Sequence, residues 1–211
     1  MKKMTGMMTN KTLITTFGRM NPPTNAHMKM IRYMLDTSFV RGYDFKLYIS
    51  STWDDKKNPL TFAYKKAIIK NTLCDYLTDN NVLAAKDILD VLRINNYLYD
   101  RVVFVCGEDR YKEYKTLLNK YNGNLYDYKE IVVHYIKRRD NVSATLARKY
   151  ACSGNYNDFI KIVAGDDIDK ARMYRKIYSV MCPHGVLMED AQSYLNDINT
   201  PECEKWISRK Y

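Results

Sequence analysis

Several ordinary features are missing from this chain of 211 residues, and each absence narrows what it can be. No window approaches the eighteen or so consecutive apolar residues of a membrane span, so neither a transmembrane protein nor a membrane partner is expected. The opening MKKMTGMMTNK lacks the long apolar stretch of a signal peptide, and a soluble, cytoplasmic protein is the expectation. The five cysteines, Cys74, Cys106, Cys152, Cys182 and Cys203, are odd in number, widely spaced and never in a C-x-x-C pair. That pattern suggests neither a disulfide framework nor a zinc ribbon, and reduced thiols are expected. Internal repeats and low-complexity linkers are absent as well. Acidic residues are few, 24 against 34 Lys and Arg, and the net charge of +10 calls for an anionic partner; charge alone does not choose among a nucleic acid, a phospholipid surface and a phosphorylated small molecule.

What is present is an alternation of two patterns. Thr12–Phe17, Phe45–Ser51, Asn81–Ala85, Arg101–Gly107 and Ile131–Ile136 are short β-branched or aromatic runs bounded by polar residues or glycine, and they are predicted to be strands. Between them, His27–Leu35, Phe62–Leu77, Ile88–Leu98 and Tyr111–Tyr121 carry apolar residues at helical spacing. Strand and helix in alternation predict an α/β fold, an open parallel sheet of about five strands with helices on both faces. Beyond Ser143 the strand signals fade. Ala144–Ala151, Asn157–Val163, Ile168–Met181, Glu189–Asn196 and Glu202–Arg209 read as helices, with a turn at Cys182–Gly185. Residues 11–150 are thus expected to form the core, and residues 151–211 a helical extension packed on it.

In such a sheet, ligands sit outside the carboxyl ends of the strands. The unusual residues fall there: GRMNPPTNAH after the first strand, STWDDKKNPL after the second, GEDR after the fourth and KRRDNVSATLAR after the fifth. In the first segment two prolines stiffen the turn, and Thr24 or Asn25 can cap the helix that follows. His27, one of three histidines, then lies in its first turn, where backbone N–H groups and the helix dipole attract anions. Gly18 lets the backbone approach a ligand, and Arg19 offers a planar fork suited to phosphate. In the last segment Ser143 or Thr145 opens a helix and Arg148 follows within a turn or so, so hydroxyls, amides and a guanidinium converge on one anion.

These residues resemble the nucleotidylyltransferase superfamily, whose signatures are a (T/H)-x-G-H turn after the first strand and an I-S-x-T-x-x-R segment after the last. The matching residues are Thr24-Asn25-Ala26-His27 and Val142-Ser143-Ala144-Thr145-Leu146-Ala147-Arg148. GRMNPPTNAH is similar to the form seen in archaeal-type nicotinamide-mononucleotide adenylyltransferases and in phage cytidylyltransferase-like proteins, which makes the host cytoplasm the expected site if the source is viral. Gly107-Glu108-Asp109-Arg110 resembles the family's G-x-D, and Lys56-Lys57-Asn58-Pro59 its lysine-bearing loop. Ala26 departs from the usual glycine of the turn.

The resemblance implies a Rossmann-like fold and transfer of a nucleoside monophosphate from ATP or CTP to a phosphorylated small molecule such as NMN, with Mg2+ on the triphosphate. NMN adenylyl transfer leads, and cytidylyl transfer to a phosphorylated alcohol or sugar is second. It implies catalytic roles for His27, Thr24, Arg148 and Lys57. It further implies nucleotide binding by Phe17, Gly18, Arg19, Met20, His27, Gly107, Asp109, Ser143, Thr145 and Arg148, and acceptor binding by Arg19, Trp53, Lys56, Lys57 and Arg110. No carboxylate pair marks a metal site held by the protein. Class I tRNA synthetases share the histidine turn, but no K-M-S-K-S segment is present. A nucleic-acid-binding protein on a degenerate scaffold is the non-enzymatic alternative, with Lys137, Arg138, Arg139, Lys170, Arg172, Arg175 and Lys176 as its surface. Of the other histidines, His134 reads as structural and His184 as a turn residue; Asp166, Asp167 and Asp169 read as acids complementing a helix dipole. A homo-oligomer is left open.

Overall fold

A computed structural model describes residues 11–137 and 142–182. Five strands, β1 (Thr12–Gly18), β2 (Asp44–Ser50), β3 (Val82–Ala85), β4 (Arg101–Gly107) and β5 (Glu130–Ile136), form one parallel sheet in the order β3-β2-β1-β4-β5. The chain adds strands outward from β1 to one edge, then returns past β1 to build the other half. The strand order therefore reverses between β1 and β4, and the crevice at their carboxyl ends is where such sheets take ligands.

Helices α1 (Asn25–Arg41), α2 (Phe62–Thr72), α3 (Ile88–Asn95) and α4 (Tyr111–Lys120) are the crossovers, covering both faces of the sheet, and α5 (Ala144–Cys152), α6 (Tyr156–Ile162) and α7 (Asp167–Met181) follow β5. One core cluster packs Leu47 and Ile49 of β2 with Met28 and Ile31 of α1, Ile68 and Ile69 of α2, and Phe159, Met173 and Ile177 of α6 and α7. A second packs Leu13, Tyr48, Val102 and Phe104 with Val91, Leu92 and Leu118 of α3 and α4. The sequence-based helices Glu189–Asn196 and Glu202–Arg209, most of the turn Cys182–Gly185 with His184, and Arg138 and Arg139 lie outside the described residues. Among the described residues, no helix is long and apolar enough to cross a membrane.

Three helices differ in length from the periodicity by several residues: α3 ends at Asn95 rather than Leu98, and α1 and α2 depart by more. α1 continues to Arg41, because Asp36–Ser38 break the apolar stripe without breaking the backbone; it stops at Gly42, whose φ of 64° suits a residue without a Cβ. α2 ends at Thr72, short of the expected Leu77. The reduced-thiol expectation is corrected at one pair: Cys152 and Cys182, thirty residues apart in sequence with Cα atoms 5.9 Å apart, form a disulfide. The two cysteines end up together because α5 packs on α7, a tertiary fact that cysteine spacing does not carry. Cys74 and Cys106 are free thiols.

Phe104 is fully buried in β4 and packs edge-on against Tyr114. Phe104→Ala should cost about 3–5 kcal/mol of unfolding free energy in urea titrations, because the centre of a sheet covered on both faces collapses little around a cavity.

Candidate functional site

The turn after β1 is held by its own side chains. Thr24 caps α1: its Oγ1 accepts from the His27 N–H at 3.5 Å, and its own N–H donates to His27 Nδ1 at 3.1 Å. This is a capping box with a histidine in the place usually taken by a glutamate. Because Nδ1 accepts a backbone N–H, the ring proton belongs on Nε2, and the imidazole becomes a donor directed by its own helix cap. Asn21 is buried and grips the loop before α2 from both sides, donating from its amide to the Leu60 carbonyl at 2.9 Å and accepting from the Leu60 N–H at 3.0 Å. Met20, with φ 45° and 1% exposed, holds a left-handed conformation that non-glycine residues rarely adopt. The constrained residue of this turn is therefore Met20, with Gly18 beside it in an ordinary backbone region.

The second motif reaches the first through Arg148. Ser143 caps α5 by accepting from the Leu146 N–H at 3.1 Å. One turn on, Arg148 donates from one guanidinium nitrogen to the Asn21 carbonyl at 2.5 Å and from the other to Thr145 Oγ1 at 3.2 Å. Residues 127 positions apart are thus joined directly. Burial first, and the neighbouring Arg19 second, push the Arg148 guanidinium below its ordinary pKa, with Asp54 opposing. Two cations held close together in a partly desolvated place favour an anion between them.

These residues line one cleft of about 760 Å³ at the carboxyl ends of the strands. Of the residues expected from the sequence, the cleft brings together Phe17, Gly18, Arg19, Met20, Thr24, His27, Gly107, Asp109, Arg110, Ser143, Thr145 and Arg148. Arg110 is engaged there, donating to Glu113 at 2.9 Å and lying 3.8 Å from Asp109. Trp53, Lys56 and Lys57 are not in the lining. The Asp54 carboxylate accepts from the backbone N–H groups of Lys56, Lys57 and Asn58, folding that loop onto itself. Those bonds, Lys57 first and the Asn58 side chain next, hold the Asp54 carboxyl down at about 2. Trp53 is 57% exposed and donates to the Pro59 carbonyl at 3.3 Å.

The lining also holds residues that motif reading missed. Ser50 and Thr52 come from the end of β2, and Lys29 and Lys86 from α1 and the β3 exit; Lys137, expected only as part of a nucleic-acid surface, joins them from the β5 exit. With Arg19, Arg110 and Arg148 these lysines make, among the described residues, six cationic side chains against the single carboxylate of Asp109, a potential suited to a polyanion. Lys65 is missed too. It is fully buried on α2, and its ammonium donates to the Arg19 carbonyl at 3.0 Å and the Ser50 carbonyl at 2.7 Å. His134 stacks on Tyr33 with ring centroids 5.1 Å apart, away from the cleft lining, and Asp166 caps α7 by accepting from the Asp169 N–H at 2.7 Å.

No protein-family model matches the chain, and no curated protein sequence matches it. Among solved structures, it is similar in part to a macrolide-efflux protein from Streptococcus pneumoniae, with 12% identity over 72% of this chain and 55% of that one and a TM-score of 0.46. It is also similar in part to TmcAL from Thermotoga maritima bound with alpha-thio ATP, with 14% identity over 80% of this chain and 56% of that one and a TM-score of 0.48. The chain spans little more than half the length of either.

Two outcomes are expected from the site's framework. Asn21→Ala leaves the Leu60 N–H and carbonyl without their partner and should lower stability by about 1–3 kcal/mol in urea titrations. Burial brings the Lys65 ammonium from 10.5 down to about 8. The unfolded chain keeps that proton up to about 10.5 while the folded chain releases it above about 8, so this residue makes folding more favourable as pH rises across that window. The difference in urea midpoint between wild type and Lys65→Met should therefore move in favour of wild type from pH 8 to pH 10, and a flat difference contradicts this titration.

Proposed function

We propose that the cleft binds a nucleoside triphosphate and transfers its nucleoside monophosphate to a phosphorylated small molecule, releasing pyrophosphate, with adenylyl transfer to NMN the leading case. The observation that supports this reading most is the contact of Arg148 with the Asn21 carbonyl, which sets the guanidinium and hydroxyls of one loop in the same cationic cleft as the imidazole of the other.

In this reaction a phosphate oxygen of the acceptor attacks the α-phosphorus in line. The bond from that phosphorus to the bridging oxygen breaks, and pyrophosphate leaves with the bonding electrons. The protein has to position the two substrates and stabilise charge. Nε2–H of His27 donates to an α-phosphate oxygen as negative charge builds there. Ser143 and Thr145 accept hydrogen bonds within the protein, which leaves their O–H groups to donate to the β- and γ-phosphates. Arg148 balances the departing pyrophosphate. Arg19 serves either the triphosphate or the acceptor phosphate, and Asp109 the ribose. Among the described residues, no group of three His, Cys, Asp or Glu is placed to hold a metal ion; Mg2+ carried on the triphosphate would supply neutralisation of phosphate charge.

Incubation with each of the four NTPs and a panel of phosphorylated acceptors including NMN should release pyrophosphate with one pair. His27→Ala should lower turnover about a hundred- to a thousandfold, the loss expected for one preorganised donor. Lys57→Ala, outside the lining, should cost less than Arg148→Ala. Full activity in the His27 variant, or no pyrophosphate from any pair, removes the assignment.

A further inference from the structure

Lys65 takes no part in the transfer described above, yet it is the one fully buried cationic side chain among the described residues. Its ammonium donates to two backbone carbonyls and meets no carboxylate among the described residues, and burial lowers its titration. Burying an ammonium is costly, and an apolar side chain of similar volume would fill the same space without that cost. The two carbonyls that receive its N–H groups are informative about why the charge is there. Arg19 belongs to the turn after β1 and Ser50 to the end of β2, both residues line the cleft, and the ammonium lies directly behind them. Its neighbour Lys66 turns outward to Asp79 at 3.0 Å, so α2 presents one lysine to solvent and the next to the cleft wall.

We propose that Lys65 is a positioning residue of the polyphosphate site: a buried countercharge that ties the β1 and β2 exits together and draws the ligand's phosphates toward them. This rests on the nucleotide reading of the cleft. A charge behind a protein wall is screened far less than one in solvent, so its contribution scales with the charge on the ligand. A purely mechanical tie would weaken all ligands alike.

The test compares ATP, ADP and AMP binding to wild type, Lys65→Gln and Lys65→Met by calorimetry, with circular dichroism to confirm the fold. Glutamine keeps N–H donors for the two carbonyls and drops the charge, and it carries the test should the methionine variant unfold. ATP affinity should fall roughly ten- to a hundredfold in both variants, with smaller losses for ADP and smaller again for AMP. Wild-type affinity for ATP in the glutamine variant, or an equal loss for all three ligands, overturns the inference. A wild-type chain that binds no nucleotide overturns the nucleotide reading instead. The same comparison with inorganic tripolyphosphate, pyrophosphate and phosphate then decides the role of Lys65: a loss graded by charge supports it, and equal losses or no binding overturn it.

Discussion

The hydrogen bond from Arg148 to the Asn21 carbonyl is the constraint on which the site depends. A parallel sheet only brings strand ends to one edge; it does not decide which loops touch. Here the turn after β1 is first made rigid by the capping box of Thr24 and His27 and by the double grip of Asn21 on Leu60. The guanidinium then reaches that turn from 127 positions further along the chain, so a helix cap donor and a cationic fork line one cleft. Loss of this contact would leave two separate anion-attracting loops.

Charge supplies the second layer. The cleft gathers cations from nearly every strand exit and sets a partly desolvated Arg148 beside Arg19, with the buried Lys65 ammonium behind the wall. Burial and the neighbouring Arg19 disfavour the Arg148 charge, and burial alone disfavours that of Lys65; the compact state holds both because backbone carbonyls of Asn21, Arg19 and Ser50 accept their N–H groups. Such a concentration of positive charge favours a polyanion over a neutral ligand, in keeping with the proposed nucleotide. The left-handed backbone at Met20 adds a conformational strain at the same turn.

Much of this was legible in the sequence because local chemistry decided it. β-branched runs give the five strands to within about a residue, since each buries a face that its own pattern defines, while helical spacing places the crossovers but misses the ends of α1 and α2 by five or six residues. That His27, Ser143, Thr145 and Arg148 line one cleft was legible because helix caps at strand exits are short, contiguous patterns. What escaped depends on which side of an element faces inward. FAYKKAIIKNT offers two adjacent lysines, and only packing decides that Lys65 points to the cleft wall and Lys66 to solvent. Asn21 reads as a turn residue until Leu60 arrives beside it from 39 positions away. Trp53, Lys56 and Lys57 follow a strand like the true lining residues do, but the Asp54 carboxylate closes their loop on itself. The Cys152–Cys182 pair depends on two helix ends meeting, which spacing alone does not encode.

The most direct measurement is a crystal structure of the chain with a non-hydrolysable nucleoside triphosphate analogue. Phosphate density between the His27 imidazole and the Arg148 guanidinium, with Nε2 within hydrogen-bond distance of an α-phosphate oxygen, is the predicted result. An analogue seated elsewhere, with the two side chains contacting no common phosphate chain, would contradict the account.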